Sequence, residues 1–252
     1  MKIFSIIKKI ISYQFILLNW IIFKIKKPKT LIILGMHRSG TSCITRILNQ
    51  NGLSLGKELI QPDTGNPQGY WENLAVYWIN ERILKKSNGT WDNPPQQFLS
   101  NIYIHLEIMR IFYNRDWNNP HLIIKDPRMV LTWDVWKKHL KNYQILAVFR
   151  NPDSVAKSLN RRDDMKLENG LKLWEIYNQK ILDIYKTESM YFLNFDNEYS
   201  FNEKITDLLE KLGFEFIPES LEFYNPSFKT SDKFDNNTNE DIYKELLCLE
   251  KG

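Results

Sequence analysis

A chain of 252 residues with 43% apolar and 25% charged residues has the composition of an ordinary soluble globular protein, long enough for one large α/β domain or two small ones. Its net charge of +4 agrees with an anionic ligand but leaves no electrostatic footprint for nucleic acid. The two cysteines, Cys43 and Cys248, form neither a metal-ligand spacing nor a disulfide framework, which points to a reducing compartment.

The first 27 residues stand apart. Lys2, Lys8, Lys9, Lys24, Lys26 and Lys27 bracket an apolar run over 10–23 that contains Ser12, Gln14 and Asn19. The run is too short and too polar for a membrane span, and no small-residue cleavage site follows it. Two readings stand: a basic interfacial helix in contact with the inner face of a membrane, or an extra helix packed on the domain or on a partner. Pro28 marks the boundary, so the domain is expected over 28–252 in a cytoplasmic protein.

Residues 31–34 (LIIL) read as a buried strand, stopped by Gly35. A compact loop over 36–40 follows. Thr41 or Ser42 then opens a helix with Ile44, Ile47 and Leu48 on one face, ended by Gly52. Such a loop between a strand and a helix N-terminus is a phosphate cradle, because the first helical N–H groups lack partners and the helix dipole is positive there. Arg38 adds a forked cation, and Thr41 and Ser42 add hydroxyls. The loop is not a Walker A motif: Gly35 and Gly40 have the right separation, but Thr41 stands where that motif has lysine.

Pro62, Asp63, Gly65, Asn66, Pro67 and Gly69 mark turns leading into YWEN at 70–73. A helix is expected over 73–86 with Leu74, Trp78 and Ile83 or Leu84 inward, and another over 97–114 with Phe98, Ile102, Leu106, Met109 and Phe112 on one face. Residues 121–124 read as a second strand running into KDPR at 125–128. After a helix over 131–140, a third strand at 144–149 runs into Arg150, with Pro152 opening the next helix. An amphipathic helix over 168–186, with Leu171, Trp174, Leu182 and Tyr185 inward, precedes a fourth strand at 191–195 and a helix over 201–212. The tail from about 230 is polar and reads as loose. Solid apolar strands alternating with helices predict an α/β fold: a three-layer, P-loop-type arrangement with a mostly parallel sheet of about four to five strands covered on both faces. In such sheets ligands bind beyond the carboxyl ends of the strands, where 35–42, 125–128 and 150–158 all fall.

The loop GMHRSGTS at 35–42, followed by FRNPDSVAKSL at 149–159, resembles the sulfotransferases that use 3′-phosphoadenosine 5′-phosphosulfate, and among them bacterial members of the Golgi-type carbohydrate branch. NPQGYWEN at 66–73 and IIKDPR at 123–128 resemble segments that recur in those relatives. The likeness spans about 31–213. It implies a 5′-phosphosulfate loop with Arg38 in the place of the lysine found in many relatives, supported by the N–H groups of Ser39 and Gly40 with Thr41 and Ser42. It also implies a 3′-phosphate segment in which Arg150 and Ser158 match in type and spacing.

The same resemblance implies transfer of a sulfuryl group to an acceptor hydroxyl on a small molecule or glycan, with Lys125 touching the sulfuryl group. The cytosolic branch has a histidine base two residues after a lysine at the second strand; here that place is Pro127. Glu72, Asp126 and His37 remain as candidate bases, Glu72 resembling the carbohydrate-branch glutamate; the alternative for Asp126 is pairing with Arg128 or capping the next element, and for His37 a packing or hydrogen-bonding role in the loop. No His/Asp/Glu set has metal-ligand spacing. The competing readings are a P-loop kinase or nucleoside triphosphatase working on ATP and Mg²⁺, and a non-catalytic nucleotide-binding or scaffold protein on the same fold.

Overall fold

The computed structural model describes residues 30–63, 66, 69–113, 121–212, 214–223 and 240–251; the basic segment 1–27 and the polar stretch 230–239 lie outside them. Four strands, β1 (Thr30–Leu34), β2 (Leu122–Lys125), β3 (Tyr143–Phe149) and β4 (Tyr191–Asn194), form one sheet in the order β2-β1-β3-β4. Every pairing is parallel, with Ile32 opposite both Ile124 and Ile145. The strands are solid Ile, Leu and Val runs because both faces are covered.

Alternation along β1 divides the core into the two halves of a three-layer fold. Ile32 and Leu34 point to one face, against helices α2 (Leu74–Lys86), α3 (Ile102–Tyr113), α4 (Met129–Trp136), α5 (Pro152–Asp163), α6 (Leu167–Tyr185) and α8 (Glu240–Lys251). Leu31 and Ile33 point to the other, against α1 (Thr41–Gln50), α7 (Glu198–Leu212) and the 3₁₀ turn Pro218–Phe223. The chain leaves β1 for β2 on one side and for β3 on the other, so the loops after β1 and β3 meet at a topological switch point.

Three expectations change. On α2 the buried set is Val76, Ile79, Asn80, Ile83 and Leu84, while Trp78 is half exposed. Ile83 and Leu84 are inward as expected, whereas Leu74 and Trp78 stand two residues from Val76 and Asn80, a shift that turns a helix by about 200° and takes them off the buried face. On α3 Phe112 is buried as expected, but Ile104 and Ile108 are buried in place of Ile102, which is exposed, and on α6 Tyr185 lies at the surface. The polar stretch expected to be loose lies outside the described residues; beyond it α8 buries Leu246 and Tyr243, and the Glu250 carboxylate accepts the Asn194 N–H at 2.9 Å at the end of β4.

Candidate active site

The turn after β1 is built on two glycines. A side chain at Gly35 would meet the Val148 carbonyl oxygen of β3 at 2.5 Å, so the loop leaves the sheet pressed against its neighbour. Gly40 has φ of 86°, and a Cβ there would lie 2.1 Å from the Phe195 ring. Between them Arg38 is held at φ of 67°, a left-handed conformation that non-glycine residues seldom adopt and that recurs at functional turns. Gly40 caps α1 without any side-chain hydrogen bond, which leaves the first-turn N–H groups to an anion. The Ser39 N–H, expected among those donors, instead closes the turn onto the Met36 carbonyl at 3.3 Å, and its buried hydroxyl has no partner. Thr41 is buried, with its methyl against Gly35.

At the end of β3, Arg150 is almost fully buried. Its Nε–H donates to Asp196 Oδ1 at 3.0 Å and its Nη1 to the Arg38 carbonyl at 3.5 Å, while Nη2 is buried without a partner. Asp196 also accepts the Asn151 N–H at 2.8 Å, and Trp174 Nε1–H donates to the Arg150 carbonyl at 2.9 Å. Asn151 caps α5 through the Ser154 N–H, with Pro152 at the first position as expected. Ser158 lies buried two turns along α5, and its hydroxyl accepts the Arg38 Nε–H at 2.8 Å. Two motifs separated by 120 residues thus meet through one hydrogen bond. Burial lowers the Arg38 pKa, and the neighbouring charges of Arg162, Arg150 and Arg161 lower it further, against a raising effect from Asp163. That is a cluster electrostatically suited to an anion.

At the end of β2, Lys125 is wholly buried. Its ammonium donates to Ser42 Oγ at 2.9 Å, to the Tyr70 carbonyl at 2.7 Å and to Glu72 Oε1 at 2.8 Å. An ammonium has three protons, so its donors are all committed to the protein. The expected contact of Lys125 with a sulfuryl group therefore requires that it give up one of these partners. Ser42 in turn donates to the Tyr70 carbonyl at 3.0 Å, tying α1 to the YWEN segment. Glu72 is 4% exposed; burial raises its pKa above the ordinary 4.5, and the adjacent Lys125 charge pulls it back. Its second oxygen lies 3.8 Å from Arg128 Nη1.

The three candidate bases separate here. Asp126 is fully buried, and its Oδ1 accepts both the Arg128 N–H at 2.8 Å and Arg128 Nη1 at 3.1 Å, which is the pairing role. His37 packs on Trp91, ring centroids 4.5 Å apart, and edge-on to Tyr177; burial, then Arg128, Arg162, Lys125 and Arg38, hold it neutral. Glu72 alone is a carboxylate on the lysine of the site with an oxygen not tied to it. Sequence reasoning named Arg128 only as a partner for Asp126 and missed two other residues. Arg128 links Glu72, Asp126 and Glu81, the last at 2.5 Å. Asp196 stands just beyond β4, a strand-end acid that could have been flagged by position. Arg162 lies one turn after Ser158 on the same face, packed over Trp91 and paired with Asp163.

No protein-family model matches the chain, and no curated protein matches it. A solved structure does. The chain is similar to the sulfotransferase domain from the Synechococcus PCC 7002 olefin synthase, with a TM-score of 0.53 and 17% identity, over 87% of this chain and 94% of that one. The likeness is one of fold, which in this chain is a four-stranded parallel sheet flanked by helices. Among the described residues no group of three or more His, Cys, Asp or Glu could hold a metal ion, and no helix is long and apolar enough to cross a membrane.

Proposed function

We propose that the protein is a sulfotransferase that takes its sulfuryl group from 3′-phosphoadenosine 5′-phosphosulfate and delivers it to a hydroxyl, on a carbohydrate or glycolipid. The observation that carries this reading is the meeting of Arg38 with Ser158 beside Arg150. A loop at a helix N-terminus and a second cation-hydroxyl pair make one continuous anion site, as a nucleotide phosphorylated at both ends needs.

The residues fit such a donor on their own chemistry. Arg150 Nη2, buried and unpartnered, is a donor awaiting an oxygen. Arg forks meet phosphate with strong, charge-assisted hydrogen bonds. The uncapped first turn of α1 supplies N–H groups for the 5′ end. When bound, the donor supplies the sulfuryl group and a nucleotide phosphate as leaving group. The protein then has to align acceptor and donor and stabilise charge. Glu72 takes the acceptor's proton as the hydroxyl oxygen bonds to sulfur, and the electron pair of the broken S–O bond goes to the phosphate. Lys125 orients Glu72 and Ser42, and Arg38 stabilises the leaving side.

The acceptor class rests on the sequence resemblance and on the aromatic surroundings of Tyr70, Trp71 and Trp91. The membrane-facing role of 1–27 belongs to the same proposal: it would bring a lipid-linked glycan to a cytoplasmic enzyme. Incubating the full chain with radiolabelled donor and a panel of glycans and glycolipids tests it. Label in a glycan or glycolipid is expected; label in none, with the chain folded and binding the donor product, contradicts the acceptor assignment.

A further inference from the structure

His37 is the residue of the loop that neither anion motif uses. It is about nine-tenths buried, and its Nε2 has no hydrogen-bond partner. Leaving a buried ring nitrogen unpaired is costly, and such a group calls for a function that recovers the cost. The ring is also firmly placed. Trp91 lies against it at 4.5 Å, Tyr177 meets it edge-on at 6.3 Å, and the Tyr177 hydroxyl donates to the Trp91 carbonyl at 2.9 Å, closing the wall.

Its surroundings say which end of the site it serves. The charges that bear most on it are those of Arg128, Arg162, Lys125 and Arg38, and its Trp91 neighbour carries the Arg162 guanidinium over its ring at 5.5 Å. Lys125 and Arg128 belong to the Glu72 cluster at the end of β2; Arg150 and Asp196 belong to the far side of Arg38. Burial first, and then the four cations, disfavour a charged ring, so His37 is a poor proton acceptor. A neutral imidazole keeps one N–H, and in a cation-lined pocket the group that calls for an N–H is an anionic oxygen.

Resting on the sulfotransferase reading above, we infer that His37 donates its Nε2–H to an oxygen of the transferring sulfuryl group. It thereby distinguishes the sulfated donor from the nucleotide left after transfer. This assigns the sulfuryl contact to a group that, unlike Lys125, has no protein partner to surrender.

Binding alone tests it, without an acceptor. The affinities of the full chain for 3′-phosphoadenosine 5′-phosphosulfate and for adenosine 3′,5′-bisphosphate are measured by calorimetry for wild type, His37→Phe, His37→Gln and His37→Asn. Phe keeps the packing; Gln places an N–H near Nε2; Asn places one near Nδ1. His37→Phe is expected to weaken the sulfated donor about tenfold, the scale of one hydrogen bond to a charged group, with the bisphosphate unchanged. Gln should recover most of that loss and Asn little.

Nitrogen-15 imidazole spectra of wild type give an independent readout. The sulfated donor should move the His37 Nε2 signal, and the bisphosphate should not. Equal losses for both ligands in His37→Phe, or an unmoved Nε2 signal, overturn the role of His37. Wild type that binds neither ligand overturns the sulfotransferase reading itself, and the inference with it. A variant that fails to fold is recognised by its melting curve, and the wild-type spectra then decide.

Discussion

The ends of β2 and β3 carry the two halves of the site, and they are built differently. At the end of β2 every donor of Lys125 is used: Ser42, the Tyr70 carbonyl and Glu72 take one proton each. At the end of β3, Arg150 shares its guanidinium between Asp196 and the Arg38 carbonyl and keeps Nη2 open. A saturated buried cation orients what surrounds it, and an unsaturated one receives a ligand. By that criterion we propose that the β2 end prepares a carboxylate and the β3 end receives the nucleotide. Arg38, in its left-handed turn, is the hinge between them: its side chain reaches Ser158, while its carbonyl meets Arg150.

The contrast breaks most sharply at Glu72. Glu72→Gln is expected to lower the transfer rate by about 10³-fold, within the range for a lost general base, while leaving the affinity for adenosine 3′,5′-bisphosphate unchanged. Wild-type turnover in this variant, together with a dead Asp126→Asn, would move the base to Asp126. The same carboxylate sets a pH dependence. Burial raises its pKa above 4.5, and only the ionised form accepts a proton, so the rate should fall as pH is lowered through an acid limb lying above 4.5. A pH–rate profile flat down to pH 4.5 would remove Glu72 from the chemistry.

Next in size are the open cations. Arg150→Ala and Arg38→Ala should each slow transfer by about 10²-fold, the scale for a lost preorganised donor. They should differ in kind. Arg150→Ala should erase the preference for the 3′-phosphorylated nucleotide over its 5′-monophosphate, measured as a ratio of dissociation constants. A ratio unchanged in Arg150→Ala would show that the β3 end does not hold that phosphate. Smallest is Ser158→Ala, where one neutral hydroxyl is lost and about a fivefold weakening of the bisphosphate is expected by calorimetry, near 1 kcal/mol. A loss as large as that of Arg150→Ala would instead mean that Ser158 chiefly holds Arg38 in place.

Much of this was legible along the chain because it is written locally. Residues 31–34, 121–124 and 144–149 are solid apolar runs, and a strand buried on both faces has no alternation to hide. Arg38, Lys125 and Arg150 stood out because each follows such a run. What was not legible depends on pairing through space. Arg150 and Asp196 are 46 positions apart, and Lys125 and Glu72 are 53, so no local pattern tells a receptive cation from a saturated one. The phase of the first turns of α2 was lost because Leu74 and Trp78 offer apolar positions two residues from the buried ones, and only packing on α3 and α4 chooses between them. Helix α8 was missed behind a polar stretch, although its own apolar positions bury Tyr243 and Leu246.

The central claim is that the site grips a nucleotide at both its 3′ and 5′ ends instead of binding a triphosphate with its metal. Calorimetric titration of the wild-type chain with adenosine 3′,5′-bisphosphate, and separately with ATP and Mg²⁺, addresses it most directly. The account predicts saturable binding of the bisphosphate, with ATP–Mg²⁺ weaker by at least about tenfold, the loss of one good charge-assisted contact. Tighter binding of ATP–Mg²⁺, with the bisphosphate not bound, would contradict it and return the loop after β1 to the kinases and triphosphatases.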